Sequence, residues 1–370
     1  MSFIPFVDLR AQYNTIKDQV DEAIFNVIER ADFIGGKEVE LFESKFAEVF
    51  GVKHCISVGN GTDSLYIILK MLGIGYGDEV ITVANSWISS SETISQLGAR
   101  PIFVDIDEDF YSINEKLIEQ KITKRTKAIV PVHLYGQCVN LDAIIALAKK
   151  YSLYVIEDCA QSHFSRYNGK LVGTFGVASS FSFYPGKNLG AYGDAGCILT
   201  DDAELANKFR MFARHGALKK HNHIIEGINS RMDTIQAAVL LVKLNYIKSW
   251  TEKRIRIANQ YTRLLHGIPN IILPKVRPNT IHTFHLYVIR AERRDELKLF
   301  LSECGIETAI HYPCALPNLK AYEYLGHSQY DYPVASCFQS EIISLPIFPE
   351  LKDSDIELVA ESIKSFYKLF

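Results

Sequence analysis

Between about residues 50 and 200, short apolar runs rich in β-branched and aromatic residues alternate with segments of helical periodicity. Two of the runs, "AIVPV" and "YVIED", are apolar on both faces, as strands are when helices cover both sides of a sheet. This alternation indicates βαβ units and a mostly parallel sheet. It predicts strands at residues 55–58, 79–83, 101–105, 128–132, 154–157, 179–183 and 196–199.

Helical patterns flank this region. Apolar residues spaced three or four apart from Ile16 to Ile28 predict a helix that packs on the large domain or on a partner subunit. Residues 231–267 contain no internal proline or glycine and predict one long helix that ends at Gly267 and bridges two domains. The remainder predicts a smaller α+β unit, with "HLYVIRA", a helix over 294–304, "ISLPIF" and a last helix from residue 354. We therefore expect an α/β protein with a large domain over residues 1–250 and a small C-terminal domain over 251–370.

The composition excludes several classes of function. The 370 residues include 40 lysines and arginines against 43 acidic residues, a net charge of −3, so we expect no nucleic-acid partner. Seven scattered cysteines without a CxxC pair argue against a disulfide framework or a zinc site, and we expect no metal. Charges interrupt every apolar stretch before the roughly 20 residues of a membrane span, and no signal-peptide pattern opens the chain. The sequence thus predicts a cytoplasmic protein with no membrane contact.

The segment "SSFSFYPGKNLGAYGDAG" places a lysine in a glycine-rich turn at the end of a predicted strand. Lys187 follows Pro185 and Gly186 and is close to Gly190 and Gly193. Such a lysine is either a solvated surface side chain or a desolvated amine that forms a Schiff base with an aldehyde. This segment alone leaves both interpretations open.

A carboxylate, Asp158, ends the apolar run of "YVIED", at the sheet edge where open α/β sheets bind ligands. One interpretation is an N-cap for the next helix. The other is a counter-ion for a protonated pyridine nitrogen, the interaction that lets pyridoxal phosphate act as an electron sink. Asp158 and Lys187 together are the pair that this cofactor needs.

A third segment, "SVGNGTDSL", follows a predicted strand and opens a helix. The backbone near Gly61, Thr62 and Asp63 offers free N–H groups and a helix dipole, which favour a phosphate, although many such turns are purely structural. No GxGxxG motif follows any strand, which argues against a nicotinamide dehydrogenase. Trp87 lies at the same edge, as either a core aromatic or a platform that stacks on a cofactor ring.

Nine segments, in their order and spacing, resemble the DegT/DnrJ/EryC1/StrS family of sugar-nucleotide aminotransferases. The resemblance covers essentially the whole chain and implies the fold of the fold-type I pyridoxal phosphate enzymes, which is similar to that of aspartate aminotransferase. The matching segments are "PFVDLRAQY", "FIGGKEVELFESKFAEVFGVKHCISVGNGTDSL", "GDEVITVANSW", "IEDCAQSH", "SFSFYPGKNLGAYGDAG", "GINSRMDTIQAA", "HLYVIR", "IHYP" and "SLPIFPEL".

The resemblance implies a role for each residue around the cofactor ring. Lys187 would form the Schiff base with pyridoxal phosphate and later carry the proton between the substrate carbon and the cofactor. Asp158 would pair with the pyridine nitrogen. Gln161 would reach the 3-hydroxyl of the ring, and Trp87 would stack on it.

The resemblance likewise implies how the phosphate is bound. Ser182 and the backbone at Gly61, Thr62 and Asp63 would bind it from one chain. Asn229, in "GINSRMD", would reach the phosphate from the neighbouring subunit. We therefore expect a homodimer whose active sites are shared between the subunits.

Contacts with the substrate are implied for His163, Tyr184, His311 and Tyr312. His163 is otherwise interpreted as a structural histidine. Two departures bear on these contacts. Phe164 stands where relatives commonly have glycine after "AQAH", and this chain reads "HYPCALPNLKAY" where relatives tend to have histidine and glutamine after "HYP".

The implied activity is transamination, because Lys187 stands where the family's sugar 3-dehydratases carry histidine. The expected reaction converts dTDP-3-keto-6-deoxyhexose to dTDP-3-amino-3,6-dideoxyhexose with L-glutamate as amino donor. One alternative is a C4 aminotransferase of a UDP- or GDP-linked keto sugar. Another is a non-sugar pyridoxal phosphate enzyme of the same fold, for which Arg214 and Arg231 are candidates to bind a substrate carboxylate. The last is a regulator that binds the cofactor without turnover.

Overall fold

The structure is a computed structural model that describes residues 3–369. Within this range it contains eleven α-helices and fifteen β-strands, numbered in chain order. The helices are α1 Leu9–Arg30, α2 Lys37–Phe50, α3 Gly61–Met71, α4 Ser89–Gln96, α5 Leu141–Tyr151, α6 Ala203–Ala213, α7 Thr234–Leu244, α8 Ile247–Leu265, α9 Arg294–Glu303, α10 Pro333–Phe338 and α11 Asp353–Leu369. The strands are β1 His54–Val58, β2 Glu79–Val83, β3 Arg100–Val104, β4 Thr126–Val130, β5 Tyr154–Asp158, β6 Arg166–Tyr167, β7 Lys170–Leu171, β8 Ala178–Ser182, β9 Gly196–Thr200, β10 Ala217–Lys219, β11 Asn222–His223, β12 Ile271–Ile272, β13 Thr280–Ile281, β14 Tyr287–Ala291 and β15 Ile342–Leu345.

All seven predicted runs pair in one central sheet. Its strand order is β1-β9-β8-β5-β4-β2-β3. Strand β9 runs antiparallel to its neighbours β1 and β8, and the other pairs are parallel. The prediction of an α/β fold with a mostly parallel sheet is confirmed, and no predicted strand end differs from the observed one by more than about two residues.

Helices cover both faces of this sheet. Successive residues of a strand point to opposite faces, and in β9 Ile198 packs with α3 and α6 whereas Cys197 and Leu199 pack on the other side with α2 and α7. Neither face of the strand reaches solvent, which explains why the runs are apolar at nearly every position. A ligand can therefore approach the sheet only at the ends of its strands.

A further core surrounds the three-stranded sheet β12-β14-β15, with α9 and α11 packed against it. Helix α8 contributes to both regions, because Ile247 and Trp250 belong to the core of the central sheet while Ile257 and Leu265 belong to the core of the second sheet. Helix α8 therefore contacts both cores, whereas the bridging of two domains stays a prediction. The domain division at residue 250 stays a prediction.

The single helix predicted over residues 231–267 is wrong, because α7 and α8 are separate helices. The N–H of Asn245 donates to the carbonyl of Val242 (3.2 Å) and that of Tyr246 to Lys243 (2.9 Å), so the chain closes in a tighter turn. Helix α7 packs on α1 and α2, whereas α8 leads into the second core. The change of packing partners ends α7 here without any proline or glycine.

The predicted amino-terminal helix is α1, which packs on α7 of its own chain. The side chain of Asp8 caps it by accepting a hydrogen bond from the N–H of Ala11. Ile16, Val20 and Val27 are buried along one side. No helix in the described range combines the length and the apolarity that crossing a membrane requires.

Candidate active site

A cavity of about 810 Å³ lies at the carboxyl ends of the central strands, and Ile347 bounds it on the side of the second core. The structure brings eleven of the thirteen predicted site residues to its wall. They are Gly61, Thr62, Asp63, Trp87, Asp158, Gln161, Ser182, Tyr184, Lys187, His311 and Tyr312.

Lys187 lies in the tight turn after β8. Its backbone N–H donates to the carbonyl of Tyr184 (2.8 Å), and a Cβ at Gly190 would lie 2.3 Å from the carbonyl oxygen of Pro185, so the turn requires glycine there. Lys187 lines the cavity, and among the described residues its amine takes part in no hydrogen bond; the charge of Asp158 is the interaction that it has. Burial lowers the pKa of Lys187 to about 8, against the opposing effect of Asp158. An accessible amine with this pKa is a nucleophile near neutral pH.

Asp158 is 5% exposed and lies at the end of β5. Its Oδ2 accepts a hydrogen bond from the Ser90 hydroxyl (3.0 Å) and its Oδ1 from the N–H of Ala160 (3.1 Å). Burial raises the pKa of Asp158, and these hydrogen bonds oppose the shift. No helix occurs between β5 and β6, so the interpretation of Asp158 as a helix N-cap is wrong. Since a carboxylate accepts about four hydrogen bonds, capacity remains for a ligand.

Gln161 connects the edge of the central sheet to the segment that carries His311 and Tyr312. Its Oε1 accepts from the backbone N–H of Tyr135 (2.8 Å), and its Nε2 donates to the hydroxyl of Tyr312 (2.8 Å). The hydroxyl of Tyr135 in turn donates to the carbonyl of His311. These bonds fix the orientation of the Gln161 amide and leave its second Nε2 hydrogen free for a ligand.

The amino end of α3 and Ser182 form an anion cradle, defined by the N–H groups of Gly61 and Thr62 and the Ser182 hydroxyl. Asn60 caps the helix by accepting from the N–H of Asp63 (2.8 Å). The first N–H groups of a helix have no acceptor within it. A Cβ at Gly61 would lie 2.7 Å from the Cβ of Ser182, so glycine permits the close approach. The cradle has the donors and the helix dipole that suit a phosphate.

Trp87 and Tyr184 are the exposed aromatic side chains of the cavity wall, each with 59% of its surface exposed. The ring centroids of Trp87 and Tyr312 are 5.7 Å apart. Trp87 is therefore not a core residue. Its face is available to stack on a flat ligand.

His163 does not reach the cavity, which corrects the expected substrate contact. It is fully buried between Phe181 and Phe183, at ring-centroid distances of 5.5 and 5.6 Å, and neither ring nitrogen has a hydrogen-bond partner. Burial and the charge of Lys187 lower the pKa of His163 to about 3, so the ring is neutral. The structure thus favours the interpretation as a structural histidine.

Asn229 is exposed and lies outside the cavity of its own chain. The neighbouring Ser230 accepts from the N–H of Gly59 (2.9 Å) and donates to the carboxylate of Asp63 (2.6 Å). The segment therefore runs beside the anion cradle of its own chain, while the side chain of Asn229 faces solvent.

Arg214 and Arg231 line a separate cavity of about 370 Å³, together with Lys219, Lys220 and His221. Neither arginine lines the cavity of Lys187. The arginine that does so is Arg254, on α8.

The sequence analysis did not single out several polar residues of the cavity, among them Ser90, Asp194, Arg254 and His285. Ser90 is the second of three consecutive serines at the start of a helix, and Arg254 belongs to the charged pattern of a long helix, so neither has a distinguishing spacing. Asp194 could have been found, because it follows a glycine in the segment that carries Lys187.

We expect formaldehyde and cyanoborohydride, in limiting amounts near pH 7.5, to methylate Lys187 in the ligand-free protein before the surface lysines. An amine with a pKa of about 8 has an unprotonated fraction on the order of a hundredfold larger than that of an ordinary lysine. Peptide mapping by mass spectrometry locates the label.

Lys243 is the matched control for this labelling. Burial lowers the pKa of Lys243 to about 8 as well, but its amine is fully buried and donates to the carbonyl of Gly190 (2.7 Å). It should stay unlabelled. Equal labelling of Lys187 and the surface lysines would show that the Lys187 amine is not activated.

Comparisons with known proteins show the family to which the chain belongs. The profile of the DegT/DnrJ/EryC1/StrS aminotransferase family matches residues 14–364. A "pleiotropic regulatory protein" of Geobacillus stearothermophilus is 43% identical over 99% of both chains. The dTDP-3-amino-3,6-dideoxy-alpha-D-galactopyranose transaminase of Aneurinibacillus thermoaerophilus is 44% identical over 98% of this chain and 99% of its own.

Two solved structures have the same fold. The crystal structure of S. venezuelae DesV in complex with a ketimine intermediate is 39% identical and superposes with a TM-score of 0.97 over 99% of both chains. That of ntda from Bacillus subtilis, with bound cofactor pmp, is 30% identical with a TM-score of 0.92 over 100% of this chain and 86% of its own. Because the family profile and these relatives each span nearly the whole chain, the protein belongs to the DegT/DnrJ/EryC1/StrS aminotransferase family.

Proposed function

We propose that this protein is a pyridoxal phosphate-dependent aminotransferase that replaces the keto group of a nucleotide-linked sugar with the amino group of L-glutamate. The observation that carries the proposal is one cavity that contains an unpartnered amine, Lys187, a buried carboxylate, Asp158, and the anion cradle. These three groups suit the aldehyde, the pyridine nitrogen and the phosphate of the cofactor.

The residues present fit this cofactor. Asp158 keeps acceptor capacity for a protonated nitrogen, Gln161 keeps one N–H for the ring hydroxyl, and Trp87 has an exposed face for the ring. The close approach of Gly61 to Ser182 brings the N–H groups of α3 and a hydroxyl to one point. When bound, pyridoxal phosphate supplies the electron sink that stabilises a carbanion at the substrate carbon.

In this proposal the protein's own side chains move a proton at the substrate carbon and stabilise a positive charge on the ring nitrogen. A lysine with a pKa of about 8 can both accept and donate a proton near neutral pH, so Lys187 moves the proton at the substrate carbon. Asp158, buried and fixed by Ser90, stabilises a positive charge on the ring nitrogen.

For the sugar we propose dTDP-3-keto-6-deoxyhexose. The name of the A. thermoaerophilus relative, a transaminase of a dTDP-3-amino-3,6-dideoxy sugar, supports this choice. We propose that the amino sugar that this protein makes is a precursor of a surface polysaccharide or a glycoside. A C4 aminotransferase of a UDP- or GDP-linked sugar is the alternative. Arg214 and Arg231 do not support a non-sugar enzyme, because they lie outside the cavity.

A regulator that binds pyridoxal phosphate without turnover is a second candidate, favoured by the name of the G. stearothermophilus relative. Such a protein needs a phosphate site and a Schiff base but no proton carrier. The buried Asp158, which a Schiff base alone does not require, favours catalysis. Turnover with an amino donor separates the two functions.

We expect L-glutamate to bleach the yellow holoprotein and to release 2-oxoglutarate, because the amino group passes to the cofactor. The bleached protein is then mixed with keto sugars linked to dTDP, UDP or GDP, with the keto group at C3 or C4. The colour should return fastest with dTDP-3-keto-6-deoxyhexose. A protein that glutamate and other amino donors leave yellow would be a regulator, and fastest recovery with a UDP- or GDP-linked 4-keto sugar would establish the alternative.

Asp158→Asn should slow bleaching by glutamate by orders of magnitude, because the ring nitrogen loses the charge that favours its protonation. The thermal midpoint should change little, since asparagine keeps the size of the side chain. Asp109→Asn, at an exposed ion pair with Lys275, controls for the loss of a carboxylate. A near-normal rate in Asp158→Asn would contradict the proposed role.

We also propose a homodimer with shared active sites. Helices α1 and α2 expose apolar side chains that a second copy would cover, namely Phe25, Ile28, Leu41 and Val49. Asn229 is exposed beside the anion cradle and has no role in its own cavity. A partner subunit whose phosphate it reaches would explain its position.

Mixing Lys187→Ala with Asn229→Ala should restore activity. If each subunit supplies Lys187 to its own site and Asn229 to its partner's, the heterodimer has one site that lacks both groups and one intact site. Asn229→Ala alone should lose about 1 to 3 kcal/mol of phosphate binding. Activity that never exceeds the weighted average of the two parents, although mass spectrometry shows subunit exchange, would place Asn229 within its own chain's function.

A further inference from the structure

Arg254 is the one guanidinium among the described residues that line the large cavity. It lies on α8, near the point where the helix passes from one core to the other, and is 4% exposed. Burial lowers the pKa of the lining histidines His285 and His311, so both are neutral near pH 7. Lys187 and Arg254 are therefore the two positive side chains of the wall, and the cofactor engages the first of them in the proposed function.

Backbone carbonyls hold the Arg254 guanidinium in place. Its Nη1 donates to the carbonyl oxygens of Phe284 (3.3 Å), His285 (3.3 Å) and Ile347 (2.9 Å). Neither Nε nor Nη2 has a hydrogen-bond partner in the described chain, although Nε is buried. One edge of the guanidinium is thus anchored and the Nε–Nη2 edge is free.

The charge of Arg254 is not neutralised by a direct ion pair. Among the residues the structure describes, Arg254 takes part in no ion pair with an N···O distance of 4.0 Å or less. Glu350 is the carboxylate whose charge acts on Arg254, and its two oxygens are themselves without a hydrogen-bond partner. Burial lowers the pKa of Arg254 to about 10, so the group is charged at neutral pH. A buried cation without a close counter-ion is costly, unless a ligand supplies the anion.

Arg254 is also connected to the turn of Lys187. The carbonyl of His285 accepts from Arg254, and the ring Nδ1 of His285 lies 3.2 Å from Oδ1 of Asn188, the residue after Lys187. One residue thus contacts both the guanidinium and the turn that carries the reactive amine. An amino donor whose amine would take the place of the Lys187 amine has its carboxylate on the adjacent carbon, so both of its groups must lie in this cavity.

We propose that Arg254 binds the α-carboxylate of the amino donor. This inference rests on the proposed function, in which L-glutamate reacts first and leaves before the sugar binds. The free Nε–Nη2 edge offers two parallel N–H donors, the geometry that matches a carboxylate. The nucleotide sugar has no carboxylate next to its keto carbon, so Arg254 selects the donor and not the acceptor.

The test compares Arg254→Gln and Arg254→Lys with the control Arg256→Gln in the holoprotein. Arg256 lies on the same helix, but its side chain pairs with Asp353 at the surface. The glutamate concentration that gives half-maximal bleaching should rise about 100-fold in Arg254→Gln. It should rise about tenfold in Arg254→Lys, because lysine keeps the positive charge but lacks the two parallel N–H donors of the guanidinium. The control should match the wild type.

Two further arms separate a carboxylate contact from a structural role. With n-propylamine, which has no carboxylate, all variants should bleach at similar rates. In the second half-reaction, started from the aminated cofactor, recovery of colour with the keto-sugar nucleotide should be unchanged. Thermal midpoints, measured in parallel, show whether the anchoring bonds to the carbonyls persist.

Several results would overturn the inference. Equal losses with glutamate, propylamine and the sugar nucleotide, accompanied by a lower thermal midpoint, would show that Arg254 only stabilises the fold. If only the reaction with the sugar nucleotide is slower, the anion that Arg254 binds is a phosphate of that nucleotide.

Calorimetry with glutarate measures binding without turnover. Arg254→Gln should bind glutarate at least about tenfold more weakly than the wild type. If glutamate does not bleach the wild type, the proposed function fails, whereas unaltered glutarate binding in Arg254→Gln refutes the carboxylate contact alone.

Discussion

Because helices cover both faces of the central sheet, its polar functional side chains lie at the ends of the strands. Two consecutive carboxylates at the end of β5 show the consequence. Glu157 is fully buried on one face, where it accepts hydrogen bonds from Nε2 of His133 and from three backbone N–H groups between Gly173 and Gly176. Burial alone would raise its pKa, but these donors lower the pKa of Glu157 below its ordinary value. Asp158 has two donors, and burial raises its pKa. The first carboxylate is saturated and structural, while the second keeps capacity for a ligand.

The buried cations follow the same rule, since hydrogen-bond partners decide which of them is available. Burial lowers the pKa of both Lys187 and Lys243 to about 8. Lys243 donates to the carbonyl of Gly190 and thereby supports the turn that presents Lys187. Lys187 has no such partner and lines the cavity. A lowered pKa alone therefore does not identify a reactive lysine, but a lowered pKa together with an unpartnered amine in a cavity does.

Sequence patterns predicted what local chemistry determines and missed what packing determines. The strands were predictable because both of their faces are buried. Lys187 was predictable because glycines surround it in the sequence, and Asp158 because it ends an apolar run. The end of α7 was not predictable, because the helical pattern of the sequence continues there and only the change of packing partners ends the helix. His163 was misplaced because a resemblance of motifs does not show which side of the chain the ring faces. Arg254 was missed because its helix has charged residues on several sides, and only the fold shows that this one is buried.

A cycle with two different substrates puts one more demand on this cavity. In the proposed function the same walls accept an amino acid and then a sugar nucleotide, so a group that binds the first must stay in place when the second is bound. Three carbonyls hold Nη1 of Arg254 without using its other edge. The guanidinium therefore need not reorganise between the two half-reactions, and preorganised groups lose less entropy on binding. The same anchoring that looks structural is what allows Arg254 to serve one substrate and tolerate the other.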